Sequence, residues 1–280
     1  PETKDRQELD KQLIDSYKHD FAVARRNKYP GVIPGIPRPP EDGADAIQSL
    51  PLPSHRSDLI NKGNKLKDIA TEAFSVESLT RIDKQLLAMI SDARSRLESE
   101  SYPIADKIHM GGFSSSGFFV SRFAFLYPDK VRTITAGGDG VFPLPKDSHN
   151  GISLPYPLGT ADYTELTGRE FDKESWANIH QYIYVGEEDQ PLPDTDLRGY
   201  YNTIRYGTKT ETVFGMNRVT ERIPFVKSQY GVSTNNVEFE IFEGVGHETP
   251  KQIEEAVIEF HKQNSPGRPV TILNVEIDPN

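Results

Sequence analysis

Cysteine is absent from all 280 residues. That excludes disulfides, thiol nucleophiles, cysteine-ligated zinc and iron–sulfur clusters together. Covalent catalysis would therefore fall to Ser, Thr, Lys or a carboxylate. Long apolar runs are missing too: none approaches the roughly 18 to 20 residues of a membrane span, and no basic-then-apolar leader opens the chain. Positive charge is in deficit, with 32 Lys and Arg against 42 Asp and Glu for a net charge of −10. The basic residues are scattered, so phosphate backbones and anionic membrane surfaces are repelled, and nucleic acid is excluded as an expected partner. What remains is 35% hydrophobic, 10% aromatic and 26% charged residues, the balance of a soluble globular domain with a good deal of polar loop. No internal repeat is evident, and oligomeric state is left open. The first residue is Pro1 rather than Met, which reads as a chain processed, trimmed or cut from something longer.

Apolar periodicity orders the chain. Leu9, Leu13, Tyr17, Phe21 and Ala24 fall at three- and four-residue intervals, one face of a helix over Asp5 to Tyr29. Gly31 to Ile36 reads as a brief strand, interrupted by Pro34. Seven of the 21 prolines lie between Pro30 and Pro53, so that stretch is expected to be surface loop. From Thr80, the stripe Ile82, Leu86, Met89, Ile90, Ala93 and Leu97 predicts a helix, with Thr80 and Asp83 as a variant capping box. A strand over Lys107 to Gly111 follows, then Gly112-Phe113-Ser114-Ser115-Ser116-Gly117, then a helix over Phe118 to Tyr127. Further strands are expected at Val131 to Ala136, Gln181 to Val185 and Val237 to Phe242. The last leads into a helix with Pro250 near its start and Ile253, Val257 and Phe260 on its apolar face. Alternating strands and helices predict an α/β protein with a mainly parallel sheet. Val141 to Trp176 is rich in Pro, Gly and aromatics without a period, and is expected to be an insertion or cap. Residues 266–280 are read as a tail, in which Pro269 to Ile277 alternates like an edge strand or the start of a further domain.

The segment around Ser114 has the form of a nucleophile elbow, a serine on a tight strand-to-helix turn. Such a serine adopts strained backbone angles, and the residues two before and two after it must be small because strand and helix crowd together there. Gly112 and Ser116 satisfy this for Ser114. Ser115 and Ser116 are competing nucleophiles on paper, but only Ser114 leaves small residues at both flanking positions with the glycine on the strand side. The N–H of Ser115, at the helix start, would face a developing oxyanion. The serine needs a base, and His247 stands at a late strand-to-helix junction after Gly244-Val245-Gly246, with helix capping as its alternative role. His109 is expected to be packed, and the other histidines to lie on helices or in solvent. The base needs an acid after a strand between nucleophile and histidine. Asp189 fits best; Glu187 and Glu188 are near alternatives, with Asp194 and Asp196 behind.

Ser114, Asp189 and His247 in that order, each after a predicted strand, resemble the α/β-hydrolase superfamily. The stretch KIHMGGFSSSGFFVSRFAFLYPDKVRTITA, Lys107 to Ala136, looks like the elbow region of secreted esterases and depolymerases. The GEED around Asp189 and the GVGH ending at His247 look like the superfamily's acid and histidine loops. The resemblance implies an α/β-hydrolase-like domain over residues 1–265 and a serine hydrolase acting on a small or polymeric ester, extracellular or secreted, with the cytoplasm as the alternative location. It implies no metal and no organic cofactor. In this reading Ser114 attacks, His247 shuttles the proton and Asp189 orients His247. A hydrolase-fold binding protein, and a peptidase or amidase with the same triad, are the alternatives. The superfamily also uses a His-Gly type loop as second oxyanion donor, and no His-Gly dipeptide occurs here. That loop and the earliest strands are expected upstream of Pro1, or replaced by another segment such as the tail. Phe142, Tyr156, Tyr163, Phe171 and Trp176, with the proline-rich loop near Arg38, are either pocket wall or packing.

Overall fold

The structure, a computed structural model, describes residues 18–32, 34, 82–138, 142–189, 219–231 and 233–265. Two helices come first, α1 (Lys18–Asn27) and α2 (Ile82–Ser99). Then follow β1 (Ile108–Phe113), α3 (Ser115–Leu126), β2 (Val131–Gly137), a two-residue hairpin of β3 (Ser148–His149) and β4 (Ile152–Ser153), and the five-residue helices α4 (Tyr163–Thr167) and α5 (Lys173–Ala177). The chain continues with β5 (His180–Gly186), α6 (Val219–Gly231), β6 (Val237–Phe242) and α7 (Lys251–Gln263). Strands β1, β2, β5 and β6 lie side by side in that order, all parallel. The class is α/β with a mainly parallel sheet flanked by helices, as the periodicity predicts.

The two faces of the sheet follow from the period-2 alternation of each strand. On β5, Ile183 and Val185 point into the main core with α3 and α6, where Phe123, Phe125 and Val226 are fully buried. Tyr182 and Tyr184 point to the opposite face, into a smaller cluster with Ile253, Val257 and Phe260 of α7. α1 lies against α7, where Asn27 Nδ2 donates to the carbonyl of Ile258 at 3.1 Å. On that same face, Thr133 Oγ1 on β2 lies 2.7 Å from both His109 Nδ1 and His261 Nδ1, and Thr135 Oγ1 lies 3.1 Å from His261 Nε2. Burial pushes the His261 imidazole down to about 3 and, with Arg132 nearby, that of His109 to about 4. His109 is packed as expected, its ring stacked on Tyr29 at 5.1 Å.

Several sequence expectations take a different form. The aromatics of the stretch from 142 to 177 belong to the core: Phe142, Tyr156, Tyr163 and Trp176 are at most 2% exposed and join the main cluster. These aromatics are packing. Helix α6 has no counterpart among the predicted elements, because Pro224 lies inside it and such a residue argues against a helix. Asp83 accepts a hydrogen bond from the Tyr127 hydroxyl at 2.5 Å, which ties α2 to the end of α3. Pro250 occupies the N-cap of α7. Gly31, Val32 and Pro34 are not in a strand. The rest of the proline-rich stretch with Arg38, Thr80, Asp194, Asp196 and the tail Pro269 to Ile277 lie outside the described residues.

Candidate active site

Ser114 joins β1 directly to α3 with φ 57° and ψ −124°. A positive φ with this ψ is a sparsely populated conformation for a residue with a side chain, and such strain persists only where the surroundings over-determine it. Here they do. The Ser114 N–H donates to the Gly137 carbonyl on β2 at 2.8 Å, and the Ser114 carbonyl accepts from the Phe118 N–H at 3.1 Å. Ser115 and Ser116 are ordinary helical residues within α3. Gly112 lies where the sequence reading requires a small residue: a Cβ there would stand 2.4 Å from the Ser116 carbonyl oxygen and 2.8 Å from its Cβ. Strand and helix thus touch across the elbow.

The N–H of Ser115 lies in the first turn of α3, where a helix leaves its amides without intrahelical acceptors. It is oriented as a donor toward an anion at the helix start.

Asp189 and His247 come together from separate loops. Asp189 follows β5 and is buried; His247 follows β6, with a half-exposed side chain. Nδ1 of His247 lies 3.0 Å from Asp189 Oδ2 and 3.1 Å from Oδ1. That hydrogen bond holds the imidazolium above its usual range, opposed by partial burial and reinforced by the carboxylate charge. Nε2 is the nitrogen left on the other side of the ring. The two neighbouring acids occupy different positions. Glu187 Oε2 accepts from the Gly244 N–H at 3.2 Å, tying the acid loop to the histidine loop, and the backbone N–H of Glu188 donates to the Val245 carbonyl at 2.9 Å. Of the three acids in the turn, Asp189 alone is bonded to His247.

Phe113, the residue before Ser114, brings elbow and histidine together. Its ring centroid lies 4.7 Å from that of His247, and a Cβ added to Gly138 would lie 2.9 Å from His247 Cε1. The imidazole therefore sits against the residues next to Ser114 on β1 and next to its backbone acceptor Gly137 on β2. The sequence reading did not single out Phe113 or Gly138. Among the described residues no group of His, Asp and Glu is arranged to hold a metal ion. No helix among them is long and apolar enough to cross a membrane.

No family model matches the sequence, and no curated protein matches it. In three dimensions the chain is similar to LpqC, a poly(3-hydroxybutyrate) depolymerase from Bordetella parapertussis, at 13% identity and a TM-score of 0.42, over 65% of this chain and 57% of that one. It is similar to a PHB depolymerase complexed with R3HB trimer at 16% identity and a TM-score of 0.33, over 53% of this chain and 42% of that one. Est1E from Butyrivibrio proteoclasticus matches at 15% identity and a TM-score of 0.32, over 68% and 71% of the two chains. The chain thus spans just over half of the first depolymerase and under half of the second.

Proposed function

We propose that this protein is a serine hydrolase that cleaves a carboxylic ester through Ser114, His247 and Asp189. The observation that carries the reading is the strained Ser114 turn, joined through the Phe113 ring to an imidazole already hydrogen-bonded to a buried carboxylate. Ser114 Oγ adds to the ester carbonyl carbon as its proton passes to His247 Nε2. The resulting oxyanion faces the Ser115 N–H. Collapse breaks the bond to the alkoxy oxygen, which leaves as the alcohol with the proton from His247. Water, deprotonated by the same imidazole, then hydrolyses the acyl-enzyme to release the acid and restore Ser114. Asp189 keeps Nδ1 protonated and stabilises the transient imidazolium. Gly112 and Ser116 support the elbow by being small. An exported site of action belongs to the same proposal and rests on the likeness of residues 107–136 to secreted esterases.

A fluorophosphonate probe tests the nucleophile. Labelling of the wild-type chain and its loss in Ser114→Ala are expected, together with turnover of p-nitrophenyl esters. Equal labelling of the two proteins refutes the assignment. The absence of a His-Gly dipeptide from the sequence favours a second reading, a hydrolase-fold protein that binds its ligand without turnover. It predicts ligand binding by a folded wild-type chain that neither labels nor cleaves esters. A p-nitroanilide run beside the matching ester separates amidase from esterase.

A further inference from the structure

Phe113, Gly137 and Tyr184 occupy one row across three adjacent parallel strands: Phe113 is in register with Gly137 on β2, and Gly137 with Tyr184 on β5. Backbones two strands apart are about 9.5 Å from one another, too far for ordinary neighbours to touch. The two rings meet here, nearly parallel at 17° with centroids 6.4 Å apart. They meet because the middle position has no side chain. A Cβ on Gly137 would lie 2.2 Å from the Tyr184 ring, which already occupies that space. The next residue repeats the device: Gly138 has φ 61°, and a Cβ there would stand 2.9 Å from His247 Cε1 and 3.1 Å from the Phe113 ring. Tyr184, Phe113 and His247 thus form a continuous column of rings over a diglycine floor, the imidazole tilted 40° to Phe113.

We propose that Phe113 is a positioning residue, its ring and the Gly137–Gly138 floor setting the orientation of His247 on the side not held by Asp189. The inference rests on the hydrolase reading for its catalytic consequence, but not for its geometry. The carboxylate fixes one edge of a half-exposed imidazole and leaves rotation about that hydrogen bond open; a ring against its face and backbone beneath it close that freedom. The electron-rich face of Phe113 also favours the imidazolium. Asp189 is the charged group acting on His247 among the described residues, and Phe113 adds no charge of its own. Because Phe113 precedes Ser114, the column couples the placement of base and nucleophile.

Proton NMR of the full chain tests this without requiring activity. In the wild type, the His247 Hε1 resonance should be shifted upfield by ring current and show NOEs to Phe113 ring protons. Phe113→Leu should abolish both and lower the His247 pKa by about 0.4 to 0.7 of a pH unit. It should also cut kcat by about 3- to 30-fold with KM within about twofold, the size expected for a mispositioned base. Phe113→Tyr, which keeps the ring, should restore all of these. A wild-type His247 with neither ring-current shift nor NOE overturns the proposal even if the leucine variant fails to fold. So does a folded Phe113→Leu protein whose His247 pKa and kcat match the wild type. If the wild type neither labels nor cleaves esters, the hydrolase reading fails while the NMR measurements still decide the column.

Discussion

Replacing Asp189 by Asn keeps the shape of the buried side chain and removes its charge, isolating what the carboxylate does for His247. Both carboxylate oxygens lie 3.0 to 3.1 Å from Nδ1, and the Asp189 side chain is only 6% exposed against 44% for His247. A hydrogen bond to a charged group contributes about 1.5 to 3 kcal/mol. The Coulomb attraction of charges about 4 Å apart near a protein surface is about 4 kcal/mol at an effective dielectric of 20. The solvent on the histidine side screens part of that, so about 2 to 4 kcal/mol of transition-state stabilisation is at stake. This corresponds to a fall in kcat of about 30- to 1,000-fold, with KM nearly unchanged. The pH dependence gives a second reading. Only unprotonated His247 can accept the serine proton, and the bond to Asp189 raises its pKa. Wild-type kcat/KM should therefore climb through a pKa above 6.5, and the residual activity of Asp189→Asn through a lower one. Because the folded-state pKa is raised, the coupling stabilises the fold fully below the unfolded value near 6.5 and fades as pH rises through the folded value. The assay is the pH profile of p-nitrophenyl ester hydrolysis, with chemical denaturation at pH 6 and 8.5. Residual kcat within threefold of wild type at pH 8, or an unmoved acid limb, would refute the reasoning.

Gly112→Ala places a Cβ 2.4 Å from the Ser116 carbonyl oxygen, and backbone on both sides leaves nothing soft to yield. A loss of more than about 2 kcal/mol is expected, read as a lowered denaturation midpoint together with loss of fluorophosphonate labelling; an unchanged midpoint would contradict the close approach of strand and helix. Acid should expose a second weakness: His261 and His109 have folded-state values near 3 and 4, so each contributes stability that is present above about pH 6.5 and lost as pH falls toward those values, at up to about 1.4 kcal/mol per pH unit per group. Denaturant titrations between pH 7 and 4 should show that slope, and His261→Gln, though less stable at pH 7, should flatten it; a variant with the wild-type slope would exclude His261 as its source.

Strands β2 and β5 are legible as short stretches rich in β-branched and aromatic residues, VRTITAG and HQYIYVG, and the edge strand β6 by the alternation of VEFEIF, with Val237, Phe239 and Ile241 on one face. β1 was read two residues short because Gly111 and Gly112 weaken a strand pattern, although those glycines are what the elbow requires. Helix α6 was illegible because Pro224 weighs locally, whereas Ile223, Val226 and Tyr230, which anchor the helix in the core, act only once β5 and β6 are in place. The packing of the aromatic stretch after β2 is not legible in the sequence because an irregular segment that packs leaves no period, and its two-residue strands are too short to make one. Ser114, Asp189 and His247 were proposed from local signals, each next to a strand end. The Thr133, His109 and His261 network and the column over Gly137 and Gly138 have no such signal. They are made by residues distant in sequence that share a row or a face.

The same alternation that separates the two cores also divides labour around Ser114. On β1, Gly112 faces α3 and Phe113 faces α7. The α3 side must be tight, since that helix starts directly after the serine and its first amides can serve an oxyanion only if strand and helix nearly touch. The α7 side must be roomy, since it receives an imidazole from a loop after β6 and the rings that hold it. One residue step along a strand meets both demands, because successive side chains point to opposite faces. Shifting Ser114 by one position would reverse them, aiming the Phe113 side chain at α3 and leaving His247 without a ring beside it. The parallel sheet sets the edge: β1, β5 and β6 run the same way, so the segments that follow them, which carry Ser114, Asp189 and His247, all leave from one edge of the sheet. That is the edge at which open α/β sheets hold their ligands.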